Sequence, residues 1–292
     1  MKILITGGSG RIGFNLIKKF IAAGKSIISV SRNTLTNYGS VNSFLIDLTD
    51  EGKTRKLVLD NKPDIIIHTA ALTNVDLCET DQKLAYKENV IATKNILEIS
   101  KEIDAKFVFV SSSFVFDGAG KIFKEEADPC PINYYGKTKQ IGEELIKDTS
   151  DNYIILRTDQ PYGKLEEWQK DDNVHRVLKA FDTGKMLKEP RDWYNNPTYI
   201  DNFSDLTLKL IELNARGIYH LVGDDFINRY DWALEISDVF GKDNSRIEAI
   251  NSNDLKVVAK RPIAKLSNTN IVKETGLQTC GVKEGLIKLR DS

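Results

Sequence analysis

The chain has 292 residues, long enough to bury a sizeable core without disulfide or metal staples. Apolar residues make up 41% and charged residues 28%, a globular balance that excludes a largely disordered chain. Lys plus Arg number 41 against 42 Asp plus Glu, and the formal net charge of −1 speaks against a dedicated nucleic-acid binder.

In chain order, strands are expected at Lys2–Thr6, Ser26–Ser31, Ser43–Asp47, Asp64–Thr69, Lys106–Ser112 and Tyr153–Arg157. Several are continuous apolar runs, such as Ile65-Ile66-Ile67, the pattern of strands covered on both faces. Between them lie helical stretches at Ile12–Ala23, Leu84–Ile103 and Gly136–Lys147. In the first of these, Ile12, Leu16, Ile17, Phe20 and Ile21 share a face, and Gly24 marks the stop. Strand–helix alternation implies an α/β fold with a doubly wound parallel sheet of the Rossmann type. Residues 159–196 are polar; Thr198–Asp201, the helical Phe203–Asn214 and the strand Gly217–Val222 then read as a return to the sheet. The expected layout is a dinucleotide-binding domain over 1–158, completed by about 197–222. A smaller, mainly substrate-binding part covers 159–292.

Gly7-Gly8-Ser9-Gly10-Arg11-Ile12-Gly13 joins the first strand to the first helix. A tight glycine turn lets the backbone approach a pyrophosphate, and the helix N-terminus offers it free N–H groups. Gly7, Gly10, Arg11, Ile12 and Gly13 are therefore candidate cofactor residues. The second strand ends Ser31-Arg32 without an acid, which suits a 2′-phosphate better than a free ribose hydroxyl. NADP(H) is the expected cofactor, with NAD(H) as the alternative. Further along, Ser112 closes a predicted strand, and Tyr135 and Lys139 lie four apart on a helix and share a face. A Lys⁺ beside a phenol favours phenolate and lowers the Tyr pKa, so Tyr135 is the expected acid–base group and Ser112 a hydrogen-bond partner of the same oxygen. Three cysteines without C-x-x-C spacing and three scattered histidines point to no metal site and to a reducing compartment. No apolar run is long enough to cross a bilayer, and no signal-peptide core precedes Lys2. A cytoplasmic protein without membrane contact is expected.

These motifs together make the sequence resemble the extended short-chain dehydrogenase/reductase family, and within it the dTDP-4-dehydrorhamnose reductase branch. The likeness also runs through Asp47-Leu48, His68-Thr69-Ala70-Ala71, Glu88-Asn89-Val90, Val115-Phe116-Asp117-Gly118, Leu156-Arg157-Thr158, Asn196-Pro197-Thr198 and Lys260-Arg261-Pro262. The resemblance implies NAD(P)H-dependent reduction of the 4-keto group of a nucleotide-activated 6-deoxy sugar. It gives Tyr135 the role of proton donor, sets Lys139 to lower its pKa and bond the nicotinamide ribose, and puts Ser112 at the carbonyl. Asp47 and Leu48 would line the adenine, and Ala70 and Ala71 the middle of the cofactor. On the substrate side it points to Asn173; the side chains themselves add Trp193, with Tyr194, for stacking on a base and the bidentate fork of Arg261 for the pyrophosphate. The chain departs from the branch pattern at Ser112-Ser113-Phe114 and at Asp159-Gln160-Pro161-Tyr162, both near the sugar. Ser113, Phe114 and Asn173 stand where related dehydratases and epimerase-reductases carry their acid and base groups, so the resemblance implies a simple reductase, with His175 the one residue that would upset this. The alternatives are a non-catalytic NADP-binding subunit resembling the methionine adenosyltransferase regulatory subunit, or a nucleotide-sugar epimerase. A homodimer is left open.

Overall fold

Strands that read as unbroken apolar runs need cover on both faces, and here they obtain it. The computed structural model describes residues 1–119 and 122–292. Seven strands form one parallel sheet: β1 (Lys2–Thr6), β2 (Ser26–Ser31), β3 (Asn42–Leu45), β4 (Ile65–His68), β5 (Lys106–Ser112), β6 (Tyr153–Thr158) and β7 (Gly217–His220). Their order across the sheet is β7-β6-β5-β4-β1-β2-β3. β2 pairs on one side of β1 and β4 on the other, with Thr6 opposite both Val30 and His68. The winding thus reverses beside the end of β1, and a crevice at such a reversal is where open α/β sheets receive ligands.

Eight helices matter to the packing: α1 (Arg11–Ala22), α2 (Glu51–Asn61), α3 (Ala92–Glu102), α4 (Tyr134–Thr149), α5 (Asn173–Asp182), α6 (Ile200–Glu212), α7 (Arg229–Val239) and α8 (Thr269–Thr275). Alternate residues of β1 point to opposite faces. Ile3 and Ile5 pack with Leu16, Ile17 and Phe20 of α1 and with Phe203, Leu206 and Leu210 of α6. Leu4 packs with Leu57 and Val58 of α2, Ile96 and Leu97 of α3 and Ile146 of α4. Caps fix where helices begin: Asp50 accepts from Lys53 N at 3.0 Å and Asn133 from Gly136 N at 2.8 Å. Residues beyond β6 add a further core in which Tyr162, Val177 and Phe181 meet Trp232 and Ile236.

Two elements differ from expectation. The third strand stops at Leu45, because Asp47 Oδ1 accepts from Thr49 N at 2.9 Å and Thr49 Oγ1 at 2.8 Å, a local turn that competes with the ladder. The helix expected over Leu84–Ile103 is interrupted by a π-helical turn at Lys87–Ile91, a feature that periodicity does not reveal. On this wider turn Asn89 is buried, accepting from Leu72 N at 2.7 Å and donating to Thr138 Oγ1 at 3.0 Å.

Candidate active site

The chain leaves β1 through a glycine turn. Gly7 has φ +67°, and a Cβ there would lie 2.7 Å from Thr69 Oγ1 and 2.8 Å from Ala70 N, so both the left-handed conformation and the close approach require glycine. Gly10 caps α1 without a side chain, leaving the first-turn N–H groups to face an anion. This turn walls one end of a cavity of about 610 Å³, within the usual range for a cofactor or substrate pocket. The cavity brings together all of the cofactor candidates: Gly7, Gly10, Arg11, Ile12, Gly13, Ser31, Arg32, Asp47, Leu48, Ala70, Ala71, Tyr135 and Lys139. A narrow glycine cradle, a bare helix N-terminus and a wall of mixed polar and apolar residues suit a dinucleotide.

The distal end carries a surprise. Ser31 Oγ accepts from Ser9 N at 2.9 Å and so braces the glycine turn. Arg32 is ion-paired with Glu88, which comes from the π-helical turn and lines the same cavity. Glu88 is thus an acid beside the expected 2′-phosphate position, one that the strand end alone does not disclose. Arg11 lines the cavity too, but its guanidinium donates to Pro161 O at 3.0 Å and Lys170 O at 2.8 Å. Trp168 Nε1 and Gln169 Nε2 both donate to Ser9 O at 3.1 Å. The segment after β6 therefore lies against the glycine turn and supplies part of the cavity wall. No sequence signal marked it, because the contact joins residues far apart in the chain.

At the other end Ser112, Tyr135 and Lys139 share the wall, 8%, 8% and 4% exposed. Ser112 closes β5, and Tyr135 lies in the first turn of α4. Close packing brings the two elements together: a Cβ at Gly136 would lie 2.0 Å from Phe114 O, so only glycine lets α4 sit this near the end of β5. Lys139 Nζ donates to Val110 O at 2.9 Å and lies over the Phe109 ring at 4.8 Å. Burial pulls its pKa down to about 8, against the opposing pull of Glu143 and Cys78.

The Tyr135 phenol corrects an expectation. Its pKa is pushed up, chiefly by burial and further by Cys78 and Asp159, while Ser112 acts in the opposite sense. Desolvation of phenolate sets the direction, which Y-x-x-x-K spacing cannot show. The phenol is therefore held protonated, which is the form a proton donor needs. Asp159, directly after β6, reaches the same wall.

The other substrate candidates lie outside this cavity's wall. Asn173 is buried at the start of α5; its Oδ1 accepts from Arg176 at 2.8 Å and its Nδ2 has no partner among the described residues. Trp193 has guanidinium groups of Arg229 and Arg261 over its ring at 5.5 and 5.8 Å, and its buried Nε1 is without a partner among the described residues. The Arg261 fork is engaged: Nη2 pairs with Asp76 at 2.9 Å and Nη1 donates to Ala259 O at 2.6 Å. His68 is fully buried between Thr6 and Thr93, and burial pulls its pKa down to about 3, the behaviour of a core histidine. His175 Nδ1 lies 2.7 Å from Asp172 Oδ1, and the residue is not part of the cavity wall. Among the described residues no cluster of His, Cys, Asp or Glu could hold a metal ion, and no helix is long and apolar enough to cross a membrane.

Known proteins share both sequence and architecture with this chain. The spore coat polysaccharide biosynthesis protein SpsK of Bacillus subtilis is 28% identical over 98% of the chain and 95% of its own length. The methionine adenosyltransferase 2 subunit beta of Xenopus laevis is 28% identical over 85% of the chain and 75% of its own length. A dTDP-4-dehydrorhamnose reductase of Bacillus anthracis, solved in complex with NADP, superimposes with a TM-score of 0.89 at 26% identity, covering 99% of this chain and 98% of that one. The family description "RmlD substrate binding domain" matches residues 1–291, and the chain belongs to that family.

Proposed function

We propose that the protein reduces the 4-keto group of a nucleotide-activated 6-deoxy sugar with a nicotinamide dinucleotide, NADP(H) in preference to NAD(H), in the cytoplasm. The observation that carries this reading is a buried phenol and a strand-end hydroxyl in the wall of the cavity that the glycine turn also lines. When bound, the reduced nicotinamide supplies the hydride for the carbonyl carbon. The chain's own residues handle the oxygen. Ser112 donates a hydrogen bond to it, and Tyr135 delivers the proton that completes the alcohol. Lys139, one helical turn on, favours the phenolate left behind.

We assign the nucleotide part of the substrate to Asn173, Trp193 and Arg261, because two of them carry buried donors without partners among the described residues and the third would exchange Asp76 for a phosphate. In this reading residues 1–158, completed by about 197–222, hold the cofactor, and 159–292 mainly hold the substrate. The test is turnover of NADPH with 4-keto-6-deoxy sugars carried on dTDP, UDP, GDP or CDP. Oxidation of NADPH with formation of the sugar alcohol is expected. The likeness to the methionine adenosyltransferase 2 subunit beta favours a second reading, a non-catalytic NADP-binding subunit. Tight NADP binding without reduction of any of the four sugars would select it.

The cofactor preference is testable at Arg32. Arg32→Ala is expected to weaken NADPH about tenfold or more, the worth of one charge-assisted hydrogen bond, and to leave NADH affinity near its starting value. Glu88→Gln frees Arg32 from its ion pair and is expected to tighten NADPH. Titration of each cofactor by fluorescence checks both, and equal loss for the two cofactors in Arg32→Ala overturns the preference.

A further inference from the structure

Asp159 is a buried carboxylate that the mechanism above does not use. It is 4% exposed and lines the cavity beside Thr158 and Gln160, in the same wall as Ser112 and Tyr135. Its position is fixed from several sides. Asn196 N–H donates to Oδ2 at 2.8 Å, and its backbone carbonyl accepts from Thr198 Oγ1 at 2.7 Å. The next residue, Gln160, has φ +39°, a left-handed conformation that a non-glycine side chain adopts only when its surroundings impose it. Among the described residues Asp159 makes no direct ion pair, although the buried Arg229 guanidinium lies near enough to feel its charge. Burial pushes the carboxyl up to about 6, opposed by hydrogen bonds from Asn196, Ser113 and Asn195.

A buried carboxylate is costly to keep and needs hydrogen-bond donors. When ionised it can only accept. It also stands in the Asp159-Gln160-Pro161-Tyr162 stretch where the sequence departs from the branch pattern. We propose that Asp159 is a specificity-determining residue whose carboxylate accepts a hydrogen bond from the sugar hydroxyl beside the carbonyl that Ser112 and Tyr135 address. In a 4-keto-6-deoxy sugar one neighbouring carbon, C5, carries the methyl group, so the hydroxyl is the one at C3. The proposal takes its sugar class from the reductase reading but does not depend on turnover.

The experiment compares dTDP-4-keto-6-deoxyglucose with its 3-deoxy counterpart. Each is titrated calorimetrically into protein saturated with NADP⁺, and each is turned over with NADPH. The proteins are wild type, Asp159→Ala and Asp159→Asn, with NADP⁺ affinity as the check on folding. A site built to pair a substrate hydroxyl rejects the analogue that lacks it. Wild type is expected to prefer the 3-hydroxy sugar by about 100-fold or more in Kd or KM, and Asp159→Ala to bring that ratio close to one. Asp159→Asn keeps one acceptor and should fall between. If Asp159→Ala does not fold, a partial loss of the ratio in Asp159→Asn supports the assignment and an undiminished ratio overturns it. Wild-type preference kept in Asp159→Ala, no preference in wild type, or no binding of either sugar likewise overturns it. Binding with the expected loss of preference but no NADPH oxidation supports Asp159 and rejects the reductase reading.

Discussion

Tyr135→Phe is expected to lower kcat by about two to four orders of magnitude, the usual worth of a positioned acid, with cofactor affinity close to wild type. The substitution removes the hydroxyl and keeps the ring, which meets Phe114 edge-on with centroids 5.6 Å apart, so the local packing survives. The pH profile follows from the neighbours. Burial, Cys78 and Asp159 keep the phenol protonated, so the acid itself is present across the neutral range. Lys139 is held at about 8, below the ordinary lysine value, and loses its charge as pH rises through that point. The rate kcat/KM, which reports groups of the free enzyme, is expected to fall above about pH 8. Wild-type turnover in Tyr135→Phe would remove Tyr135 from the mechanism.

The second large effect concerns a support of the site. Glu143 of α4 accepts from Arg157 Nε at 3.0 Å and Nη2 at 2.7 Å, and from Ser111 Oγ at 2.6 Å. Arg157 and Glu143 are 1% and 0% exposed. Glu143→Ala leaves the guanidinium charged, buried and unpaired, a loss of about 3–5 kcal/mol. For a chain of this size that corresponds to a fall in Tm of about 5–8 °C. Glu143 also raises the Lys139 pKa, so its removal moves the alkaline fall in rate to lower pH. Replacing both partners, Glu143→Leu with Arg157→Met, is expected to recover part of the stability, because no charge is then left buried alone. Thermal melts of the two variants beside wild type decide the matter; a Glu143→Ala melt within a degree or two of wild type contradicts it.

The strands were legible because buried parallel strands are written as unbroken runs of Ile, Val and Phe, and the glycine turn because its spacing has one main physical use. Ser112, Tyr135 and Lys139 could be singled out from strand end and helical spacing. What sequence could not supply was burial. The direction of the Tyr135 shift depends on how much water reaches the phenol, and no spacing records that. Glu88 was hidden by a π-helical turn that alters the helix face. Trp168 and Gln169 were hidden by distance, since their partner Ser9 lies about 160 residues away in the chain. Asp159 stood out as a departure from a pattern, but its pocket position needed the fold.

The last strand of the sheet arrives long after the one it pairs with. β6 ends at Thr158, yet its outer edge pairs with β7, which begins at Gly217. Lys106, at the same margin, has its ammonium held by Ala215 O at 2.7 Å. While residues 159–216 leave the ribosome, on the order of several seconds at ordinary rates of synthesis, β6 presents a row of unpaired backbone donors and acceptors. Ribosome stalling in that interval, or a stop codon there, would prolong the exposure and invite pairing with strands of other chains. A product ending near residue 158 would tend to be an insoluble fragment rather than a small, free-standing cofactor binder, and co-translational chaperones would have their main task on this chain between those two points.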